Sequence, residues 1–346
     1  NKYKEKIITD IDLIFLLKKF FKSIVVTGTN GKSTTCKIIN HILNKNKYKS
    51  LLGGNIGTPI LSLNIKRNNF LVIEASSFQL SHSKFIKPDY ALLLNITNDH
   101  LDWHRDMTDY INSKFKVFKF QNKNQFSLVN RKLRLKFLKK ELSGKLIFPD
   151  LLGYRTIKHK IKNSYLSSSV NDENMSFVYT LRKLLRISEK SFLKSVNTFK
   201  GLPHRYEIFL KKKNCIFIND SKATTFESTK YALKNSKNIF WIIGGLPKLN
   251  DKINLKDLKK NIIKSYIIGK NTIFFKNQLK NQVHYEVCTN LEESIFQICK
   301  DIRLFKKKDN IVLLSPASAS FDQYQNFEKR GNEFKRLSKF YARKYL

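Results

Sequence analysis

Ser23-Ile24-Val25-Val26-Thr27 reads as a buried strand, a helical pattern runs from Lys32 to Leu43, and the loop joining them is Gly28-Thr29-Asn30-Gly31. In that position loop amides and a helix N-terminus face an anion, Lys32 reaches terminal phosphates, and the Ser33 hydroxyl can ligate Mg2+. Against the general phosphate-loop pattern the first glycine would fall at Val26, so that pattern is not fully met. Glycine is otherwise scarce. Of 12 in the chain, Gly28, Gly31, Gly53, Gly54 and Gly57 cluster together, as expected where backbone approaches a ligand closely. A nucleotide, ATP or GTP, is the expected ligand.

Strand-like runs at Phe70 to Glu74 and Tyr90 to Ile96 follow at spacings that suit crossover helices, predicting a mostly parallel sheet. An amphipathic helix is expected over Lys132 to Lys145, and a helix over Ser191 to Phe199 that stops at Lys200-Gly201-Leu202-Pro203. Beyond that boundary, apolar runs at Cys215 to Ile218, Ile239 to Ile243, Ser265 to Ile268 and Ile311 to Leu314, with a helix over Leu291 to Ile302, predict a second α/β unit. The expected fold is therefore α/β with two Rossmann-like units, a central phosphate-loop domain over 23–200 with a mostly parallel sheet and a C-terminal domain over 201–346.

Lys and Arg number 66 against 27 Asp and Glu, a net charge of +39. Such a balance suits a nucleic-acid or anionic-membrane partner. It also suits genome-wide A/T-rich codon usage, because the surplus is mostly Lys and comes with abundant Asn, Ile and Phe. A hydrophobic fraction of 41% argues against a disordered basic tail. No apolar run reaches membrane-spanning length, since Lys18 and Lys19 interrupt Ile11 to Phe21, and no signal peptide opens the sequence. Cys36, Cys215, Cys288 and Cys299 form no CxxC pair, which suits a reducing cytoplasm without disulfides or zinc.

Glu74 closes one strand and Asn95 another, the latter leading into Ile96-Thr97-Asn98-Asp99-His100-Leu101-Asp102. A carboxylate and an imidazole at neighbouring strand ends beside a phosphate loop can hold Mg2+ ions that bridge nucleotide phosphates. Read singly, the pair is a capping Glu and a loop His.

Together with Asn55-Ile56-Gly57 and Glu74-Ala75-Ser76-Ser77-Phe78-Gln79-Leu80, these motifs resemble the central domain of the Mur ligases, which build the peptide of bacterial cell-wall precursors. In the second half His204-Arg205, Asp220-Ser221-Lys222-Ala223-Thr224 and Ser315-Pro316-Ala317-Ser318-Ala319-Ser320-Phe321-Asp322-Gln323 resemble the branch that adds D-glutamate to UDP-N-acetylmuramoyl-L-alanine. The resemblance runs from about residue 7 to the C-terminus. It implies a carboxylate phosphorylated by ATP and an acyl phosphate attacked by the D-glutamate amine. It implies that Lys32, Glu74, His100 and Lys114 are catalytic, that Gly28 to Thr34 hold the phosphates, and that Ser33, Glu74, His100 and a carbamylated Lys114 hold Mg2+. In so Lys-rich a chain, Lys114 also reads as a surface lysine.

The resemblance further implies that Asn171 and Asn174 contact adenine, where helix capping reads equally well. Arg205, Asp220 and Lys222 would reach the nucleotide as the domains close. Asn55, Ser76, Ser77 and Gln79 would lie along the muramoyl substrate, and Thr224, Lys248, Ser320 and Phe327 would hold D-glutamate. Pro247 precedes Lys248 where the family usually has a polar residue, so the local geometry there stays open. The resemblance also implies a uridine-binding domain before the phosphate loop, of which Ile7 to Leu13 look like the closing segment. Residues 1–22 would then be the remnant of that N-terminal domain and its linker, either because this is a partial record of a longer protein, the favoured expectation, or because the domain has been lost. This chain alone is expected to bind Mg-ATP but to ligate slowly or not at all. A cytoplasmic monomer without membrane span or specific nucleic-acid partner is expected. Two alternatives stand beside this: another Mur ligase or a folylpolyglutamate synthase-like ligase, and a basic phosphate-loop ATPase acting on nucleic acid.

Overall fold

The structure, a computed structural model, describes residues 7–17, 20–101, 103–163, 165–212, 214–248, 251–305 and 309–346. The first six residues of the expected remnant, Lys18, Lys19 and Asp102 lie outside them. The chain divides into two compact units, Asn1–Lys200 and Gly201–Leu346.

In unit 1 the elements run α1 (Asp10–Leu16), β1 (Lys22–Thr27), α2 (Lys32–Lys45), β2 (Ser50–Gly54), β3 (Phe70–Glu74), α3 (Ser77–His82), β4 (Tyr90–Leu93), α4 (Met107–Phe115), β5 (Phe126–Val129), α5 (Arg134–Leu138), β6 (Lys145–Ile147), α6 (Leu151–Lys158), α7 (Asp172–Leu184) and α8 (Glu189–Asn197). The strands form one parallel sheet in the order β2-β3-β1-β4-β5-β6. β1 is central and its residues Ser23 to Thr27 are buried, so both faces must be covered and the run is continuously apolar rather than alternating. Strand order reverses at β1, with β3 on one side and β4 on the other, which opens the crevice beyond its C-terminal end.

α1 belongs to this unit's core. Ile11, Ile14 and Phe15 pack in one cluster with Leu71, Ile73 and Leu93. Buried Asp12 fixes it there, accepting from the Ser83 hydroxyl at 2.5 Å and from the Lys84 and Phe85 amides while also closing the Thr9 capping box.

Three expected boundaries are corrected. β4 stops at Leu93, beyond which its partner chain leaves β1 for the phosphate loop, and two bonds alone extend the pairing, Leu94 N donating to Thr27 O and Thr29 N to Asn95 O. The expected helix over Lys132 to Lys145 is instead a 3-10 turn (Arg131–Leu133), the short α5 and then β6. Ser143-Gly144 breaks the pattern, and a Cβ at Gly144 would lie 2.3 Å from the Ser127 hydroxyl on the neighbouring strand. The helix expected from Ser191 starts earlier, at Glu189, because Ser188 caps it by accepting from Ser191 N.

Unit 2 runs β7 (Glu207–Lys212), β8 (Cys215–Asn219), α9 (Phe226–Lys234), β9 (Ile239–Gly244), β10 (Ile262–Ile268), α10 (Thr272–Leu279), β11 (Tyr285–Val287), α11 (Leu291–Leu304), β12 (Asn310–Leu314) and α12 (Phe327–Tyr345). Its sheet order is β11-β10-β9-β12-β8-β7, parallel except for the antiparallel edge pair β7 and β8. Apolar clusters cover the two faces, one around Phe217, Phe240 and Leu314, the other around Trp241, Ile243 and Leu313. Among the described residues no helix is long and apolar enough to cross a membrane.

Candidate active site

Strand register assembles the first site. Val26 pairs with Glu74 and Thr27 with Leu93, so the phosphate loop, Glu74 and Asn95 all emerge at adjacent strand ends. The loop is held from below by β4: Asn30 N donates to Asn95 Oδ1 at 2.8 Å and Asn95 Nδ2 returns to Asn30 O at 3.2 Å. Thr29 Oγ1 lies 2.9 Å from the Tyr110 hydroxyl and accepts from Thr97 N. Gly31 caps α2 in the left-handed region, with φ 83. Ser33 takes the second helical position, and the Thr34 hydroxyl lies 3.4 Å from that of Tyr165.

Two lysines converge on one carbonyl. Lys32 Nζ donates to Gly28 O at 2.9 Å and to Thr29 O at 2.8 Å, and Lys114 Nζ donates to Gly28 O at 2.8 Å. Lys114 on α4 is 1% exposed and lies over the Tyr110 ring. It is therefore no surface lysine. Burial first, and the Lys32 charge second, push its amine down to about 6, so it is largely neutral at pH 7.

Glu74 is 2% exposed. Its Oε1 accepts from Asn55 Nδ2 at 3.0 Å, while Oε2 is buried and has no hydrogen-bond partner among the described residues. An orphaned carboxylate oxygen is costly unless a cation or donor satisfies it. His100 sits at φ 55, its Nε2 is 3.4 Å from Asp99 Oδ2, and its ring meets Phe78 at 4.8 Å. No three His, Cys, Asp or Glu side chains gather into a cation site among the described residues. A single carboxylate with a hydroxyl and phosphate oxygens nonetheless suits Mg2+, which keeps several waters and leans on substrate phosphates.

Asn174 is brought to the loop, and Asn171, bonded to it, takes the N-cap position of α7. Asn171 begins α7 without a side-chain cap bond and instead donates to Tyr165 O at 2.8 Å. Asn174 Nδ2 donates to Asn171 Oδ1, and its Oδ1 lies where a Cβ on Gly31 would be 2.1 Å away. Ser76 and Gln79 form a reciprocal capping box at the start of α3, so much of their hydrogen-bonding capacity is spent locally. The Ser77 hydroxyl is buried without a partner among the described residues.

In unit 2 the predicted residues gather at the ends of β8, β9 and β12. Asp220 N donates to Leu314 O, and Gly244 N to Pro316 O. Lys222 Nζ lies 3.8 Å from the Phe327 ring centroid, and Lys222 N donates to His204 O beside Arg205. Thr224 follows, with N donating to Lys222 O. A two-way bridge between Leu246 and Ala319 ties the Lys248 segment beside buried Ser320. The bridge uses Leu246, so Pro247's missing amide leaves it intact. Lys248 itself is exposed.

Sequence reasoning missed Arg330. It is 1% exposed and donates to Ser221 Oγ, Ser221 O, Ser318 O and Gly244 O, linking all three strand-end loops. As one of 66 basic residues it carries no distinguishing signal in the sequence. Tyr110 was also missed, although its spacing of four from Lys114 places both on one helix face.

Asp220 is buried, accepting from Tyr206 N at 3.0 Å and Ser315 Oγ at 2.7 Å. Burial dominates these bonds and raises its carboxyl to about 7. A raised folded value means that the folded state binds the proton more tightly. The resulting stability is full below the ordinary value of 3.8 and is lost as pH rises through about 7. Asp220→Asn keeps an acceptor for Tyr206 and gives Ser315 a donor, freeing Ser315 to donate to Thr229 Oγ1. Thermal melts are therefore expected to show Asp220→Asn above wild type at pH 8 and level with it near pH 3. Wild type melting higher at pH 8 would contradict this.

Residues 26–184 match the Mur ligase middle domain family. The chain is 36% identical to the UDP-N-acetylmuramoylalanine–D-glutamate ligase of Rickettsia felis, across 96% of this chain and 78% of that protein. It is 37% identical to the protein of the same name from Rickettsia prowazekii, across 96% of this chain and 79% of that protein. Among solved structures, MurF ligase from Thermotoga maritima in complex with ADP matches in fold, with a TM-score of 0.67 at 17% identity over 94% of this chain and 82% of that one.

Proposed function

The chain belongs to the Mur ligase family, and within it to the UDP-N-acetylmuramoylalanine–D-glutamate ligases, and on that premise we propose that it uses ATP to add D-glutamate to UDP-N-acetylmuramoyl-L-alanine in peptidoglycan precursor synthesis. The observation that carries the reading is the buried, largely neutral Lys114 amine at the phosphate loop beside the half-satisfied Glu74 carboxylate. Neither residue suits a loop that merely connects a strand to a helix.

Loop amides of Gly28 to Thr34 and the Lys32 ammonium hold the phosphates of ATP, with Asn171 and Asn174 toward adenine. Lys32 exchanges its bonds to Gly28 O and Thr29 O for phosphate oxygens, an exchange between two acceptors that needs no new charge. Mg2+, when bound, neutralises charge that builds on the transferring phosphoryl group. Ser33, Glu74, His100 and a carbamylated Lys114 would hold it, a mainly hard-oxygen donor set. The neutral Lys114 amine adds to CO2, losing one proton, and so replaces a buried base with an anionic oxygen ligand.

Asn55, Ser76, Ser77 and Gln79 orient the substrate carboxylate, which takes the γ-phosphoryl group to give an acyl phosphate and ADP. The D-glutamate amine then attacks the acyl carbon and expels phosphate. Thr224, Lys248, Ser320 and Phe327 hold the amino acid, while Arg205, Asp220 and Lys222 serve the nucleotide. Positioning and charge neutralisation carry most of the catalysis in such a scheme. A cytoplasmic monomer is part of the same proposal.

The test is amino-acid dependence. With ATP, Mg2+ and UDP-N-acetylmuramoyl-L-alanine present, D-glutamate is expected to stimulate phosphate release at least tenfold more than L-glutamate, L-lysine or D-alanine. Stimulation by L-glutamate with a folate acceptor instead would favour a folylpolyglutamate synthase. Stimulation by DNA or RNA that falls steeply with salt would favour a nucleic-acid ATPase.

A further inference from the structure

The chain has two tryptophans, in opposite circumstances. Trp241 is fully buried on β9 and donates its indole N–H to Ser315 O at 2.8 Å. Trp103 lies three residues after His100, where its amide donates to His100 O, and its side chain is 47% exposed. It is nevertheless held in one orientation. Phe78, His82 and His104 meet it nearly perpendicularly, at centroid distances of 4.8, 5.9 and 4.6 Å and interplanar angles of 88°, 79° and 79°. Phe78 in turn touches His100 at 4.8 Å and stands between Ser77 and Gln79, which the proposed function assigns to the muramoyl substrate.

A large aromatic surface that is rigidly supported yet half open forgoes burial, and beside a substrate-binding segment it is a ready-made stacking surface. The ligand chemistry follows from distance along the substrate. In the proposed function Asn55, Ser76, Ser77 and Gln79, the last three flanking Phe78, orient the reacting carboxylate. A pyranose ring follows within a few bonds of it, and uracil lies beyond two phosphates. The apolar face of a pyranose carries C–H hydrogens of partial positive charge, which complement the negative face of an indole.

We propose that Trp103 is the stacking surface for the pyranose ring of the N-acetylmuramoyl group. The inference rests on the proposed function and adds to it a specificity-determining contact. Its test exploits the burial contrast, because acrylamide reaches Trp103 and leaves Trp241 emitting. Saturating UDP-N-acetylmuramoyl-L-alanine is expected to lower acrylamide quenching at least threefold, N-acetylmuramoyl-L-alanine at millimolar concentration to do the same, and UDP alone to leave it unchanged. Trp103→Ala should raise the KM for UDP-N-acetylmuramoyl-L-alanine about tenfold while the KM values for ATP and D-glutamate hold, and Trp103→Phe should recover most of the loss. A merely structural role would shift all three constants together. Protection by UDP alone would reassign the ring to uracil and overturn the proposal. Undiminished quenching in an enzyme that turns this substrate over would overturn it while sparing the proposed function. Protection by the muramoyl ligands without D-glutamate-dependent turnover would do the reverse.

Discussion

Lys114→Met is expected to melt higher than wild type at pH 7 while losing at least about 100-fold in ligation rate. A buried amine lowered from 10.5 to about 6 is neutral in the folded protein and protonated in the unfolded chain at pH 7. Its burial therefore opposes folding, by up to roughly 5 kcal/mol at that pH. Because the folded value is depressed, stability is highest above pH 10.5 and falls as pH drops toward 6. Methionine matches the lysine stem in volume and carries no charge, and Gly28 O keeps the Lys32 bond when the Lys114 bond goes. A rise of about 5 °C at pH 7, shrinking toward pH 10, is the signature. Activity of the wild type should also decline as pH falls through 6, where the amine takes a proton and can no longer carry CO2. Carbon-13 NMR with labelled bicarbonate should show a carbamate signal that Lys114→Met lacks. A variant that is both inactive and less stable at pH 7 would refute the strained-amine reading and leave Lys114 as a structural lysine.

That strain explains why the site was legible in part. Gly28 to Thr34, Glu74 and His100 stood out in sequence because they are the residue types that phosphate and metal chemistry would need at strand ends, and the strand register brings the loop and Glu74 to adjacent strand ends. Strand runs such as Ile24 to Val26 and Ile239 to Ile243 were equally plain, since a sheet covered on both faces demands unbroken apolar residues. What sequence did not disclose was where polar capacity is spent. Ser76 and Gln79 bond each other, Asn171 braces the turn at Tyr165, and Arg330 ties together three loops whose residues lie far apart in the chain. These arrangements depend on tertiary closure. In a chain with a net charge of +39, one buried arginine is indistinguishable beforehand from a solvated one. The amphipathic reading of Lys132 to Lys145 failed for a related reason: β6 gains a partner strand in β5, and that pairing outweighs a helical period already weakened by Ser143-Gly144.

Gly31→Ala should cost at least about 100-fold in ATP affinity, or about 2.7 kcal/mol. Two separate penalties fall on this position. At φ 83 an L-residue pays about 1 to 2 kcal/mol for the left-handed backbone. The added methyl would also lie 2.1 Å from Asn174 Oδ1, and Asn174 is nearly buried and bonded to Asn171, so moving its amide aside costs that bond. Either the Asn174 amide turns aside from the place proposed for adenine, or the loop opens and its amides leave the place proposed for the phosphates. A double-mutant cycle separates the penalties. In an Asn174→Ala background the clash disappears and the backbone cost stays, so Gly31→Ala should there cost about tenfold in ATP affinity. Calorimetric titration of all four proteins with ATP reads the coupling directly. Equal losses in the two backgrounds would mean that Asn174 does not press on the phosphate loop, and would remove the physical reason for placing it near the nucleotide.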